Sequence, residues 1–157
     1  MDPRDNGVKT ISKTEPYRIV LVDDHVLFRQ GLRRILEEMA DLEIVGEAGD
    51  GLELIDLLNR LTLNKSTPHM VVLDISMPRL RGIEATQKIK VTYPDVKVLI
   101  LTIHKSPEYL HHALSAGAEG YLLKEDANTE LFSAIEKIRQ GGAYISPLLS
   151  AELAEER

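Results

Sequence analysis

Five polar side chains stand at the ends of short apolar runs, where a charge or a hydroxyl group is unfavourable unless it has a partner or a function. They are Asp23 and Asp24 after YRIVLV, Asp74 after HMVVL, Thr102 after VKVLIL, and Lys124 after GYLL. An aspartate in such a position often only caps the next helix, a threonine is often structural, and a lysine is often a solvated charge. The alternative is that all five lie together and form one site.

The apolar runs alternate with stretches of helical periodicity. This pattern decides whether the five side chains have separate structural roles or form one site. The runs predict strands over residues 17–24, 42–48, 69–74, 96–102 and 120–124. The stretches between them predict helices over residues 27–40, 51–62, 82–94, 107–117 and 128–141. Asn128 or Thr129 is the expected cap of the last helix. Short, continuously apolar strands are typical of a sheet covered on both faces. We therefore predict an α/β fold with a doubly wound, five-stranded parallel sheet.

In such a sheet the carboxyl ends of the strands share one rim, where ligands bind. Three carboxylates would meet there, and a pair at ~4 Å costs about 4 kcal/mol at an effective dielectric constant of ~20. Lys124 offers one positive charge and a hard divalent cation offers two. Mg²⁺, or Mn²⁺ in its place, suits carboxylates, a backbone carbonyl and water. Zinc is disfavoured because the chain has no cysteine and no histidine pair at ligand spacing.

A carboxylate beside Mg²⁺ and a lysine can accept a phosphoryl group as an acyl phosphate. Phosphoryl transfer needs alignment and charge stabilisation more than covalent help from the protein. Asp74, on the central third strand, is the best-placed nucleophile. The Thr102 hydroxyl and the Lys124 ammonium are positioned to hold phosphoryl oxygens.

Length and charge set limits on the remaining functions. The 157 residues predict a polar, disordered leader over 1–16, a compact domain over 17–141, and a linker or short extra helix over 142–157. The net charge of -6 argues against DNA binding by this chain itself. No apolar stretch approaches the ~20 residues of a membrane span, so we expect a cytoplasmic protein without membrane contact.

Four segments carry a family resemblance: LVDDH (21–25), VVLDISMPRLRG (71–82), LTIH (101–104) and GYLLK (120–124). They resemble the receiver domain of bacterial two-component response regulators, in the NarL/LuxR-type branch, over residues 17–141. The resemblance implies a flavodoxin-like strand order, 2-1-3-4-5. In that branch a DNA-binding helix-turn-helix domain follows the linker. We therefore expect a longer regulator that reaches DNA only through an output domain absent from this sequence.

The resemblance also implies a role for each site residue. Asp74 is the phosphoacceptor, served by the phosphohistidine of a sensor histidine kinase. Asp24 and Asp74 bind Mg²⁺ directly, together with the backbone carbonyl of Ser76, and Asp23 acts through water. Thr102 and Lys124 hold the phosphoryl oxygens.

Tyr121 is implied to be the switch aromatic, which turns inward as Thr102 moves toward the phosphate. Ser76 and His104 are implied to tune how fast the acyl phosphate hydrolyses. The domain promotes only its own phosphorylation and slow autodephosphorylation, so it is not an enzyme with a separate substrate. The switch would alter homodimerisation or release an output domain. Because Glu125 rather than proline follows Lys124, a cis peptide is not implied there.

Three other functions compete with this hypothesis. A Mg²⁺-dependent phosphohydrolase usually needs a second acidic residue just after the nucleophile, but Ile75 and Ser76 follow Asp74. A flavin-binding protein would need a Ser/Thr/Gly-rich loop after the first strand, and VDDHVLF is not one. A phosphate-independent binding module with the same fold stays open.

Two further groups each have two possible roles. His25 either joins the site or only opens the first helix. Arg29, Arg33 and Arg34 form a basic patch on that helix, which could meet an acidic partner but is more typical of a solvated face.

Overall fold

The computed structural model describes residues 15–75, 81–147 and 149–150. The strands are β1 (Tyr17–Val22), β2 (Leu42–Ala48), β3 (Met70–Asp74), β4 (Lys97–Thr102), β5 (Gly120–Leu123) and β6 (Tyr144–Ile145). The helices are α1 (Val26–Glu37), α2 (Gly51–Leu63), α3 (Gly82–Thr92), α4 (Pro107–Ser115) and α5 (Ala127–Arg139). A 3-10 turn, Lys124–Asp126, joins β5 to α5.

All the strands pair in parallel, in the order β2-β1-β3-β4-β5-β6. The predicted α/β fold and the strand order 2-1-3-4-5 are confirmed. The difference is β6, a two-residue strand that pairs with β5 and that the five-stranded prediction did not include. No helix among the described residues has the length and apolar character needed to cross a membrane.

The sheet has a core layer on each face because successive strand side chains point in opposite directions. Val20 and Val22 lie in a cluster with α2, α3 and α4, whereas Ile19 and Leu21 lie in a cluster with α1 and α5. Every residue of β3 is buried. The central strand is therefore covered on both faces, as its uninterrupted apolar run predicts.

The start of α5 differs from its predicted start. Asn128 or Thr129 was the expected cap, but the 3-10 turn continues directly into a helix that begins at Ala127. Asp126 occupies the cap position and makes no side-chain cap bond. The Thr129 hydroxyl instead donates back to the Asp126 carbonyl at 3.3 Å, so the cap prediction is wrong.

The segment after α5 packs against the sheet. The Tyr144 amide donates to the Glu119 carbonyl and the Ser146 amide donates to the Tyr121 carbonyl, both at 3.0 Å. Leu149 is buried in the cluster shared with α2, α3 and α4. The domain boundaries, with a linker from residue 142, stay predictions, and residues 1–14 and 151–157 lie outside the described part.

Candidate functional site

The sheet register brings the predicted site residues to one rim. Val22 pairs with Leu73, so Asp23 and Asp74 follow on neighbouring strands. Ligand atoms of Asp23, Asp24, Asp74 and His25 all lie within 4.8 Å of one another. Asp23 is 2% exposed and Asp74 3% exposed, whereas Asp24 faces solvent. Buried carboxylates this close need a counter-charge.

Lys124 supplies that counter-charge from the end of β5. Its Nζ lies 2.8 Å from Asp23 Oδ2 and 3.7 Å from Asp74 Oδ2. Its side chain is only 11% exposed, and Nζ also lies 4.5 Å from the centre of the Phe28 ring. Lys124 is therefore a largely buried cation held between two carboxylates, not a solvated surface charge.

His25 belongs to the same cluster, which the predicted site did not include. Its backbone amide donates to Asp23 Oδ1 at 2.8 Å, and its Nδ1 lies 3.0 Å from that oxygen. Nδ1 is also 3.4 Å from Asp24 Oδ1. His25 stands at the N-cap of α1, so it both opens the helix and faces the acidic site. Its position directly after Asp23 and Asp24 is the sequence signal that could have assigned it to the site.

Thr102 and Tyr121 hold the loop that follows β4. Thr102 is buried, and its Oγ1 accepts the His104 amide hydrogen at 2.9 Å. The buried Tyr121 hydroxyl donates to the His104 carbonyl at 3.2 Å. Burial raises the pKa of Tyr121 to about 12, although a hydrogen bond with Thr102 acts against it. The phenol therefore keeps its proton at neutral pH.

His104 lies between the rim and α4. Its backbone is bonded by Thr102 and Tyr121, and its ring stacks on Tyr109 with a centroid separation of 4.1 Å and an interplanar angle of 13°. The position is therefore an ordered contact between the β4–α4 loop and the first turn of α4. Ser76, the other residue implied to tune hydrolysis, lies outside the described residues.

Gly82 brings the start of α3 against the end of β3. Its amide donates to the Ile75 carbonyl at 3.2 Å. A Cβ at this position would lie 2.5 Å from the Asp74 carbonyl oxygen and 2.5 Å from Ile75 Cα. Only glycine allows this approach, which places α3 next to the backbone of Asp74.

The basic patch on α1 is not a uniformly solvated face, because the Arg29 side chain is only 18% exposed, whereas that of Arg33 is 39% exposed. The Arg29 guanidinium donates to the Asp23 carbonyl oxygen, and its Nε donates to Glu47 Oε1 at 2.8 Å. Arg33 pairs with the same Glu47 and with Glu37. Glu47 lies on β2, distant in sequence, so spacing along α1 could not reveal this contact. Arg34 is exposed as expected.

The donor set fits a hard divalent cation. Asp23, Asp24 and Asp74 offer carboxylate oxygens, which are the ligands that Mg²⁺ and Mn²⁺ prefer. No thiolate is available anywhere in the sequence. The acidic cluster is therefore consistent with Mg²⁺ binding.

Comparison with known proteins assigns the family. Residues 19–136 match the family model of the response regulator receiver domain. The chain belongs to this family. It is a receiver domain of the two-component response regulators, as the four sequence segments predicted, and nothing found supports the phosphate-independent alternative. The family is not one of conventional enzymes.

The relatives place the receiver in the NarL/LuxR branch. The chain is 42% identical over 139 residues to the transcriptional regulatory protein DegU of Brevibacillus brevis, covering 88% of this chain and 57% of that protein. It is 38% identical over 140 residues to the oxygen regulatory protein NreC of Staphylococcus carnosus, covering 88% of this chain and 62% of that protein. The chain thus spans about three-fifths of the length of these relatives.

Solved structures agree with the fold. A LuxR-family response regulator from Aurantimonas sp. SI85-9A1 superposes with a TM-score of 0.83 at 38% identity, covering 91% of this chain and 99% of that one. The receiver domain of the putative regulator NarL from Mycobacterium tuberculosis gives 0.74 at 32% identity, covering 82% and 99%. A structure of two RcsB dimers bound to two parallel DNAs gives 0.78 at 28% identity, covering 87% and 67%.

Proposed function

We propose that Asp74 is the phosphoacceptor of this receiver and takes its phosphoryl group from the phosphohistidine of a sensor histidine kinase. The observation that carries the proposal is the buried Asp74 carboxylate beside Asp23, with Lys124 Nζ 3.7 Å away. An Asp74 oxygen forms a bond to phosphorus while the bond from phosphorus to the kinase imidazole nitrogen breaks. The imidazole leaves with the electron pair of that bond, and the product is an acyl phosphate.

Asp24 and Asp74, with the carbonyl of Ser76, would hold Mg²⁺ directly, and Asp23 would hold it through water. Mn²⁺ can take its place. The bound ion supplies positive charge to the phosphoryl oxygens and to the carboxylates that surround them. Lys124 offers a second cation to the same oxygens from the carboxyl end of β5, on the same rim. The Asp23–Lys124 contact of 2.8 Å keeps this ammonium at the site before the phosphoryl group arrives.

Phosphorylation would act as a switch through Thr102. A phosphoryl group adds roughly 1.5–2 negative charges, which attract Lys124 and the Thr102 hydroxyl. Thr102 Oγ1 accepts from the His104 amide and the Tyr121 hydroxyl donates to the His104 carbonyl, so a shift of Thr102 acts on the whole β4–α4 loop. Reversing a 1:99 ratio of two states takes about 5.5 kcal/mol of preference, within reach of several charge-assisted hydrogen bonds.

The surface made by α4, β5 and α5 would transmit this change to homodimerisation and to a DNA-binding output domain. The net charge of -6 supports DNA contact only through such a domain. Ser76 and His104 would set the lifetime of the acyl phosphate, which is lost by slow autodephosphorylation. A cytoplasmic location forms part of the proposal.

The test is the intact mass of the full chain after incubation with Mg²⁺ and a small acyl phosphate donor. We expect a gain of one phosphoryl group that disappears in Asp74→Asn and when a chelator removes the divalent cation. Asp95→Asn is the matched control, because Asp95 is exposed and lies just before β4, at the amino ends of the strands and therefore away from the site. No gain in the folded wild-type chain, or a gain retained by Asp74→Asn, would overturn the proposal.

A further inference from the structure

We infer that Arg29 is a positioning residue for the cation site, that it acts through the main chain of Asp23, and that Glu47 anchors it. The inference rests on the proposed function, because it concerns the same acidic site. Among the described residues, no hydrogen bond or ion pair joins Arg29 to a carboxylate oxygen of that site. Its guanidinium donates instead to the Asp23 carbonyl oxygen, and Nη1 also lies 3.3 Å from the Ala48 carbonyl oxygen.

These two carbonyls end neighbouring strands. The Asp23 amide donates to the Ala48 carbonyl at 3.1 Å, the last main-chain bond between the ends of β1 and β2. Arg29 bridges the Asp23 and Ala48 carbonyls just beyond that bond. The Asp23 carbonyl belongs to the peptide group that leads into Asp24, so its orientation sets where the Asp24 side chain projects. Arg29 therefore fixes the backbone from which both first-strand carboxylates extend.

The contact pattern requires an arginine. Its planar guanidinium donates in two directions at once: Nη1 toward the strand ends and Nε toward Glu47 Oε1 at 2.8 Å. A lysine ammonium carries the same charge but cannot keep both contacts in that fixed geometry. The Arg29 side chain is 18% exposed and that of Glu47 26% exposed, so the pair is largely shielded from water.

The surroundings of Arg29 are close to neutral. Glu47 also pairs with Arg33, and Arg33 pairs with Glu37 at 3.0 Å. Two guanidinium groups and two carboxylates thus balance one another. Arg29 therefore holds the strand end without adding a strong positive field that would oppose a metal cation. Changing a partner that orients metal ligands typically weakens metal affinity by roughly 10–100-fold.

The test measures Mn²⁺ binding to the full, unphosphorylated chain, from the electron paramagnetic resonance signal of free Mn²⁺, and Mg²⁺ binding by displacement of Mn²⁺. We expect Arg29→Lys to weaken both affinities about ten-fold. Arg33→Lys is the matched control: it lies on the same helix and contacts the same Glu47, but it does not contact the Asp23 carbonyl. We expect it to bind both ions like the wild type.

A second readout separates positioning from a general loss of stability. The Asp24 amide shares its peptide group with the Asp23 carbonyl, so its nitrogen chemical shift should move in Arg29→Lys and stay in place in Arg33→Lys. Glu47→Gln retains Arg29 but weakens its anchor. It should also lower the Mn²⁺ affinity, and it serves as the test variant if Arg29→Lys does not fold.

Equal Mn²⁺ affinity in the wild type and in folded Arg29→Lys would overturn the inference, as would equal losses in Arg29→Lys and Arg33→Lys. Either result would leave the proposed phosphoacceptor intact. A wild-type chain that binds neither ion would instead show that the cation site, on which both proposals depend, does not exist. The phosphorylation assay without Mg²⁺ tests the need for the ion separately.

Discussion

At the scale of single residues, the charges of the site leave room for a cation. Asp23, Asp24 and Asp74 bring three negative charges and Lys124 brings one positive charge. Three minus one leaves two negative charges, which is what a divalent cation neutralises. Lys124 is fixed by its 2.8 Å contact with Asp23 and by the Phe28 ring. Lys124 therefore leaves two negative charges that the proposed Mg²⁺ would neutralise.

His69, which lies just before β3 at the amino ends of the strands, gives the stability a pH dependence. Its Nδ1 accepts the Arg18 amide hydrogen at 2.8 Å and its ring stacks on Tyr17 at 4.8 Å. Burial lowers its pKa below the usual 6.5, and the charges of Arg18 and Arg139 lower it further, although Glu15 opposes them. Protonation of Nδ1 would remove the hydrogen bond from Arg18.

The sign of the effect follows from the lowered pKa. Below about pH 6.5 the unfolded chain binds a proton at this histidine more readily than the folded chain does. The stabilisation is complete above that pH and is lost as the pH falls through 6.5 toward the folded-state pKa. We expect the free energy of unfolding in urea to decrease over this window, and His69→Asn to remove that part of the decrease.

His111→Asn is the control for this prediction, because His111 is exposed on α4. It should leave the pH dependence unchanged. A His69→Asn variant with the wild-type slope across the same window would show that another group is responsible.

At the scale of elements, the approach of α3 to β3 depends on the absence of one methyl group. In Gly82→Ala the new Cβ would meet two backbone atoms, the Asp74 oxygen and Ile75 Cα, each at 2.5 Å. The helix would have to move away from the strand that carries Asp74. We expect a loss of about 1–3 kcal/mol in the free energy of unfolding, together with slower phosphorylation of Asp74.

Gly31→Ala is a control of opposite sign for this prediction. Gly31 is an exposed residue inside α1, and a Cβ there would have no neighbour within 4 Å. Alanine should therefore stabilise the chain by about 0.5–1 kcal/mol through its helix propensity. Urea unfolding measures both variants. A Gly82→Ala chain that is as stable as Gly31→Ala would contradict the steric explanation.

The fold was predictable because its signals are local. Alternating strand and helix patterns gave the parallel sheet, and the buried β3 shows the continuous apolar run that both-sided coverage requires. The signals failed where tertiary contacts decide. Tyr144 and Ile145 form β6 because the edge of β5 is available, and the 3-10 turn before Ala127 replaces the expected cap at Asn128 or Thr129.

The site followed from the fold, but its supporting contacts did not. Once the strand ends share a rim, Asp23, Asp74 and Lys124 are expected on that rim, because each stands at the end of a predicted strand. The partner of Arg29 was not predictable, because helical spacing describes only which α1 residues share a face. Glu47 is 18 positions away on β2, and only the folded sheet brings it beside that helix.

At the scale of the whole molecule, the segment that follows α5 is hydrogen-bonded to β5, the strand that precedes Lys124. Ser146 donates its amide hydrogen to the Tyr121 carbonyl, and its Oγ accepts the Leu123 amide hydrogen at 2.9 Å. Ser146 is fully buried. The segment after α5 and the strand that leads into Lys124 therefore share hydrogen bonds, so a change on β5 can reach this segment.

Leu149 tests whether this segment is part of the folded unit or a linker that begins at residue 142. It is 1% exposed and packs in the core cluster, whereas Leu63, at the end of α2, is 82% exposed. Leu149→Ala should therefore lower the free energy of unfolding by about 2–5 kcal/mol through lost burial and a cavity. Leu63→Ala should change it by no more than about 0.5 kcal/mol.

Urea unfolding of the full chain compares the two. Matching midpoints would mean that the segment contributes no packing and that the domain ends at α5. A large loss for Leu149→Ala alone would mean that the cooperative unit extends past residue 141, because the segment after α5 is then anchored to the core.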